Sequence, residues 1–221
     1  MEFIKPKVKI CCISSVEEAT LAIQYGASAI GLVSEMPSGP GVISDELAFK
    51  IAATIPANIA SFLLTSKQNA LDIIEQQRYV GANTLQIVDR LTHGNYKDLR
   101  EALPGINLVQ VIHVNNDECI TEALKVAPDV DAILLDSGNQ NLPVKLLGGT
   151  GRAHDWSISR RIVELVNKPV FLAGGLNPEN VSGAVEQVRP HGLDICSGVR
   201  TDNKLDERKL EAFFQQVNSF R

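Results

Sequence analysis

The chain of 221 residues is acidic, with a formal net charge of -5 and a pI of about 5.4. This balance excludes the broad positive field that attracts nucleic acid or an anionic membrane surface, so we expect neither as a partner. Hydrophobic residues make up 44% of the chain, enough for a packed core, but no apolar run approaches the roughly 20 residues that span a bilayer. Without an apolar signal core near Met1, the sequence predicts a cytoplasmic protein.

Short β-branched apolar runs alternate with amphipathic stretches along the chain, a pattern typical of βα units around a parallel sheet. Eight such units predict a single α/β domain over residues 1–221, a (β/α)8 or TIM barrel. An open doubly wound sheet is the competing architecture, but the first strand lacks its GxGxxG turn. The predicted strands cover residues 8–13, 29–33, 59–64, 84–88, 107–114, 131–136, 170–174 and 192–197. Helices are predicted to begin near Val16, Asp45, Lys67, Tyr96, Asp117, Trp156, Pro178 and Asp206.

The first predicted strand carries a candidate reactive thiol. Because side chains alternate across a strand, Lys9 and Cys11 share one face while Ile10 and Cys12 share the other. If Ile10 packs against the helices, Cys11 faces the barrel mouth, where a thiol of lowered pKa could act as a general base. The alternative is a buried cysteine that only fills space, and the residues alone favour that reading.

The sixth predicted strand ends in a carboxylate. Asp136 is in phase with Leu134, so both point into the barrel if Ile133 and Leu135 pack outward. A carboxyl group at the inner carboxyl end of a barrel strand is suited to general acid catalysis. A cap on the long loop that follows is the alternative role for Asp136.

Glycine-rich turns follow three late strands and predict a phosphate site. Glycine lets backbone N–H groups approach a phosphate closely, and the loops after strands seven and eight of this barrel are its usual place. The expected phosphate ligands are Gly149, Gly151, Gly174, Gly175, Ser197 and Gly198.

Two further expectations concern Asp194 and metals. Asp194 is in phase with Cys196 and either hydrogen-bonds a sugar hydroxyl or pairs with buried Lys9, with neither role favoured. The sequence has no CxxC pair, HExxH helix or histidine–carboxylate cluster, so we expect no metal site.

Several segments, taken together, resemble phosphoribosylanthranilate isomerase, the barrel enzyme of tryptophan biosynthesis. The likeness covers most of the chain, in the family's order and spacing, through KICCI, GASAIGLV, LLDS, GGTGRAHDW, GGLNPENV and DICSGV. It implies an Amadori rearrangement of an aminoaldose phosphate to an aminoketose phosphate without a cofactor. Cys11 would be the general base and Asp136 the general acid, with the glycine turns on the phosphate and Asp194 on a ribose hydroxyl.

Three departures from the family pattern concern the aglycone, the aromatic group carried on nitrogen. The arginine that usually meets the anthranilate carboxylate is replaced by Gly41, and the glycine after the catalytic cysteine by Cys12. The family histidine after strand four is missing, and His93 in the following loop is a candidate substitute. An isomerase with a different aglycone therefore stays open.

Two other functions also stay open, a non-catalytic sugar-phosphate binding barrel and a Schiff-base enzyme that uses Lys9 as nucleophile. The expected partner is a small phosphorylated sugar, bound by a monomer or a homodimer.

Overall fold

The computed structural model describes residues 5–138 and 154–220, in which eight parallel strands close into a barrel in chain order. This confirms the predicted (β/α)8 architecture. The strands are β1 (Lys7–Ile10), β2 (Ala29–Val33), β3 (Ala60–Thr65), β4 (Thr84–Ile87), β5 (Asn107–His113), β6 (Ala132–Asp136), β7 (Val170–Leu172) and β8 (Gly192–Ile195). The helices between and after them are α1 (Val16–Tyr25), α2 (Asp45–Ala52), α3 (Ala70–Val80), α4 (Tyr96–Ala102), α5 (Glu118–Val126), α6 (Trp156–Leu165), α7 (Val181–Val188) and α8 (Glu207–Asn218).

Most helices begin within a residue or two of their predicted starts, because Ser, Asn or Asp caps the first turn. In α1, for example, the Ser15 side chain accepts a hydrogen bond from the amide of Glu18. Helices α3 and α7 begin three residues later than predicted. The Asn69 side chain caps α3 and so sets its start. Before α7, the Asn177 side chain accepts hydrogen bonds from the amides of residues 179 and 180, and this turn takes the place of the predicted first helical residues.

The strands separate two apolar layers, one inside the barrel and one between barrel and helices. On β6, Ile133 and Leu135 pack into the outer layer, whereas Ala132 and Leu134 belong to the inner one. The predicted phase of this strand is therefore confirmed, and Asp136 continues its inward-facing row.

The strand register closes the barrel between the two ends of the chain. β1 pairs with β8 so that Lys9 lies opposite Asp194 and Ile10 opposite Ile195. After β8, the short strands β9 (Arg200–Thr201) and β10 (Lys204–Leu205) form an antiparallel pair that the sequence did not indicate. None of the described helices combines the length and the apolar character needed to cross a membrane.

Candidate active site

A cavity of about 680 Å³, partly open to solvent, lies at the carboxyl ends of the strands. Cys11 lines it from the end of β1, Asp136 from the end of β6 and Asp194 from β8. Glycine turns complete it on the β7 and β8 side, and the loop after β2 completes it on the other. The predicted thiol and carboxyl groups, 125 positions apart by their numbers, therefore share one cavity.

A buried ion pair supports the floor of this cavity. Lys9 is fully buried, and its Nζ lies 2.9 Å from Asp194 Oδ2 and 3.7 Å from Cys11 Sγ. The same nitrogen sits 5.1 Å from the centre of the Phe62 ring. Of the two roles expected for Asp194, pairing with Lys9 is thus present, while its Oδ1 has no partner among the described residues.

The surroundings of Cys11 favour its thiolate. A hydrogen bond from Cys12 and the Lys9 ammonium lower the pKa of Cys11, although burial and the Asp194 charge oppose them. Burial alone would lower the pKa of Lys9, but the charges of Asp194 and Cys11 outweigh burial and raise it. Lys9 is therefore held as a protonated cation, which makes it a poor Schiff-base nucleophile.

Asp136 is partly buried and held by the residue that follows it. Its Oδ1 accepts a hydrogen bond from the Ser137 amide at 2.7 Å and from the Ser137 hydroxyl at 3.4 Å. A Cβ added at Gly174 would lie 3.2 Å from this same oxygen, so the turn after β7 passes close to the carboxyl group. The contact with Ser137 gives Asp136 a defined orientation at the cavity wall.

The glycine turns after β7 and β8 come together beside this carboxyl group. Gly174 and Gly175 have φ of 85° and 66°, left-handed values that favour glycine. A Cβ on Gly198 would lie 2.0 Å from the Leu176 carbonyl oxygen, so only glycine allows the two turns to approach this closely. The amides of Gly174, Gly175 and Gly198 donate to no acceptor among the described residues, and they remain available to an anion.

Other predicted residues lie elsewhere. Gly149 and Gly151 fall outside the described residues. His93 is exposed and pairs with Asn69 in an isolated bridge, away from the cavity. The histidine that reaches the end of β4 is instead His113 from the neighbouring strand, whose Nε2 lies 3.0 Å from the Val88 carbonyl oxygen. The sequence analysis did not single out His113, although its place at the carboxyl end of β5 was a usable signal.

Arg200, in the segment after β8, has a structural role near Cys11. It is buried, pairs with Glu18 at 3.0 Å and donates to the carbonyl oxygens of Cys11 at 3.4 Å and Cys12 at 2.5 Å. The guanidinium thus fixes the backbone on which the thiol sits.

Gly31 is a second positioning residue that the sequence analysis missed. A Cβ at this position in β2 would meet Cys11 Sγ at 2.9 Å and Lys9 Cε at 3.1 Å. Its lack of a side chain leaves the space that both groups occupy.

The comparison with known proteins agrees with this geometry. The family described as N-(5'phosphoribosyl)anthranilate (PRA) isomerase matches residues 8–216. The chain belongs to the phosphoribosylanthranilate isomerase family. This family catalyses the Amadori rearrangement of tryptophan biosynthesis, so the enzyme class expected from the resemblance is confirmed.

Individual members of the isomerase family match over nearly their full length. N-(5'-phosphoribosyl)anthranilate isomerase 2 of Methanosarcina mazei is 36% identical over 215 residues, which cover 96% of this chain and 94% of the relative. The crystal structure of the Thermotoga maritima isomerase superposes with a TM-score of 0.80 at 28% identity, covering 97% and 99% of the two chains. An isomerase in complex with reduced 1-(o-carboxyphenylamino)-1-deoxyribulose 5-phosphate superposes with a TM-score of 0.77 at 27% identity, with coverage of 97% and 99%.

Proposed function

We propose that this chain rearranges N-(5'-phosphoribosyl)anthranilate or a closely related aminoaldose phosphate, with Cys11 as general base and Asp136 as general acid. The observation that carries the proposal is that both side chains line one cavity beside the glycine turns after β7 and β8. An aldose–ketose rearrangement needs an acid and a base on one carbon skeleton, and this cavity supplies both.

The reaction begins with ring opening. Asp136 gives its proton to the ribose ring oxygen, the bond from that oxygen to C1 breaks, and a protonated Schiff base forms at C1 with the amino nitrogen. The carboxyl group is well placed for this step because its bond to Ser137 fixes its orientation at the cavity wall.

The second step moves a proton from carbon. The Cys11 thiolate removes the proton from C2, the electron pair neutralises the iminium, and the enolamine that forms becomes the ketone on tautomerisation. The nearby Lys9 ammonium and the Cys12 hydrogen bond, which lower the pKa of Cys11, increase the thiolate fraction available near neutral pH.

Binding of the sugar phosphate uses groups that this chemistry leaves free. The amides of Gly174, Gly175 and Gly198, with Ser197, hold the phosphate between the seventh and eighth strands, as backbone donors commonly do in this fold. The unpartnered Oδ1 of Asp194 accepts a hydrogen bond from a ribose hydroxyl, while Oδ2 stays with Lys9. The two roles weighed for Asp194 are thus compatible.

Turnover of purified protein tests the assignment. We expect Cys11→Ala and Asp136→Asn each to lower kcat by about 10² to 10⁴, the usual contribution of one acid or base. Cys119→Ala, a buried cysteine on α5, and Asp72→Asn, an exposed carboxylate on α3, are matched controls that keep full activity. Undiminished turnover in either active-site variant would reject the mechanism, and binding of the substrate without turnover by the wild type would reject the activity.

A further inference from the structure

Three of the four cysteines of the chain lie at one end of the barrel. Cys11, Cys12 and Cys196 all line the cavity, whereas Cys119 is buried on α5. The pairing of β1 with β8 brings the three together, because the Cys11 amide donates to the Ile195 carbonyl oxygen at 2.8 Å. The side chain of Cys196 packs against the inner apolar cluster that contains Cys11 and Cys12. The cavity therefore holds three thiols, and the proposed acid–base chemistry uses only one of them.

The three thiols differ in reactivity. Cys11 is the one whose surroundings favour a thiolate, through a hydrogen bond from Cys12 and the Lys9 ammonium, 3.7 Å from its sulfur. Hydrogen bonds with both Cys11 and Cys196, together with burial, raise the pKa of Cys12, so its thiol keeps its proton. A thiolate attacks a peroxide, whereas a protonated thiol is a poor nucleophile. Oxidation therefore begins at Cys11, and the Cys12 sulfur connects it with Cys196.

The backbone of Cys12 is a separate reason to assign this residue a function. Its φ is 62°, in the left-handed region that favours glycine. The side chain is only 5% exposed, and its thiol lies 3.6 Å from the Pro40 carbonyl oxygen. A residue with a side chain persists in such a strained conformation where the surroundings hold it there, commonly at a functional site. The buried thiol of Cys12 is what glycine at this position would lack.

We propose that Cys11, Cys12 and Cys196 form a peroxide-reducing relay, in which Cys11 is oxidised first and Cys12 and Cys196 end as a disulfide. The substrate class is a small hydroperoxide such as hydrogen peroxide, which enters through the open side of the cavity of about 680 Å³. This reaction goes beyond the isomerisation, since it oxidises thiols and involves no sugar phosphate. It returns the Cys11 sulfur to its thiolate.

Atoms and charges balance over three steps. The Cys11 thiolate attacks one peroxide oxygen, the O–O bond breaks, and a sulfenic acid forms at Cys11 with release of hydroxide. The Cys12 sulfur then attacks the Cys11 sulfur, the S–O bond breaks, and the oxygen leaves with the Cys12 proton as water. Cys196 loses its proton to the first hydroxide and attacks the Cys12 sulfur, so that the Cys11 thiolate leaves. The net reaction converts two thiols and one peroxide into a disulfide and two waters.

Two features favour the third step. A thiol of lower pKa is the better leaving group in disulfide exchange, and the pKa of Cys11 is lowered whereas that of Cys12 is raised. A disulfide between the adjacent residues Cys11 and Cys12 closes a small ring, and departures from ideal disulfide geometry make the bond easier to reduce. Cys12 and Cys196 come from separate segments, so their disulfide closes no such ring.

Hydrogen peroxide treatment of the reduced full-length protein, followed by peptide mapping without reductant, tests the relay. We expect the wild type to acquire a Cys12–Cys196 disulfide while Cys11 and Cys119 stay as thiols. Cys11→Ser removes the thiolate that attacks peroxide, so formation of this disulfide should slow by about tenfold or more. Cys196→Ser should stop the relay at a disulfide between Cys11 and Cys12.

Overoxidation of Cys11 is the second readout. In Cys12→Ser the sulfenic acid at Cys11 has no resolving neighbour, so excess peroxide should convert it to sulfinic acid about tenfold faster than in the wild type. Cys119→Ser is the matched control and should behave as the wild type. Circular dichroism and Tm of the reduced proteins report folding. If Cys12→Ser does not fold, Cys12→Gly replaces it, because glycine suits the left-handed backbone.

Any of three results overturns the proposal. The Cys12–Cys196 disulfide forms as fast in Cys11→Ser as in the wild type. Sulfinic acid accumulates at Cys11 of the wild type as fast as in the variant without the Cys12 thiol. Peroxide links two chains rather than two cysteines of one chain. Peptide mapping requires no turnover, so failure of the proposed isomerase function and failure of the relay are distinguished.

Discussion

Lys9 and Asp194 form a buried ion pair at 2.9 Å between opposed residues of β1 and β8, and the lysine nitrogen also lies 3.7 Å from the Cys11 sulfur. The Lys9 side chain is fully inaccessible and that of Asp194 is 8% exposed. Such a pair contributes little net stability when intact, but removing one partner leaves an uncompensated charge.

Replacing Lys9 tests two effects of this ion pair, one on the stability of the fold and one on the pKa of Cys11. We expect Lys9→Met to lower the free energy of unfolding by about 3 kcal/mol, because Asp194 is left buried and unpaired. Loss of the ammonium also raises the pKa of Cys11, so alkylation of Cys11, followed by peptide mapping, requires a higher pH. Lys50→Met, which breaks an exposed i,i+4 pair with Glu46, is the control and should cost under about 1 kcal/mol. An unchanged alkylation profile would show that Lys9 does not act on the thiol.

Gly31 is expected to be intolerant of even a methyl group. Gly31→Ala places a Cβ 2.9 Å from Cys11 Sγ, so the thiol must move. We expect kcat to fall by about 10², as for small misplacements of a catalytic group, and unfolding free energy to fall by about 1–3 kcal/mol. Gly183→Ala, on the exposed side of α7 with no atom near its added Cβ, should leave kcat unchanged. Equal kcat values for the two variants would contradict the positioning role.

Gly198 tests the phosphate site. In Gly198→Ala the methyl group would lie 2.0 Å from the Leu176 carbonyl oxygen, so the turns after β7 and β8 must separate. We expect KM for the sugar phosphate and the inhibition constant for inorganic phosphate to rise by about tenfold or more, the loss of one good backbone bond to a charged group. Circular dichroism and Tm identify a folding failure. If the folded variant is inhibited by phosphate as strongly as the wild type, the phosphate site does not lie between these two turns.

The Arg200–Glu18 pair is expected to make stability depend on pH. Burial alone would raise the pKa of Glu18, but hydrogen bonds from Arg200, Leu205 and Ser14 outweigh it and lower this pKa. A carboxylate with a lowered folded pKa stabilises the fold above its unfolded pKa, about 4.3, and this stabilisation disappears as the pH falls through the folded value. Tm measured from about pH 7 down to about pH 3 should therefore fall less steeply in Glu18→Gln than in the wild type.

Arg200 of the Arg200–Glu18 pair also holds the backbone of Cys11 in place. Arg200→Met should lower unfolding free energy by about 3 kcal/mol, because it leaves Glu18 without its cation and frees the Cys11 and Cys12 carbonyl oxygens. Arg161→Met, which breaks an exposed pair with Asp117, should cost under about 1 kcal/mol. If the two variants lose similar amounts of unfolding free energy, the buried contacts of Arg200 contribute no more to stability than an exposed ion pair.

Local pattern was enough to predict the barrel and the phase of β6. The alternation along β1 was wrong at Cys12, which was expected on the face of Ile10 but lines the cavity beside Cys11, because its φ of 62° interrupts the extended backbone. The bounds of β2 match the prediction, and alternation along β6 and β1 correctly placed Asp136 and Cys11 inside. The roles of these residues, the single-domain assignment, the cytoplasmic location and the choice between monomer and homodimer stay predictions.

Apart from the Lys9–Asp194 pair, which was one of two alternatives, contacts between distant positions could not be predicted from local pattern. Arg200 and Glu18 are 182 positions apart, and an arginine in a loop gives no sign of burial. The close approach of Gly41 to Cys12, where an added Cβ would lie 2.3 Å from Cys12 Cβ, depends on the left-handed backbone of both residues, which the sequence does not show. Propensity also placed the starts of α3 and α7 too early, because side-chain caps at Asn69 and Asn177 favour turns there.

Pairing of β1 with β8 has a consequence for how the protein is made. Because Lys9 is synthesised 185 positions before Asp194, a growing chain holds a lysine destined for burial without its counter-ion until residue 194 has been added. Cys11, the Lys9–Asp194 pair and the turn after β8 come together only when β1 pairs with β8 and closes the barrel. A chain truncated before β8 therefore contains the sequence of β1 but cannot form the site.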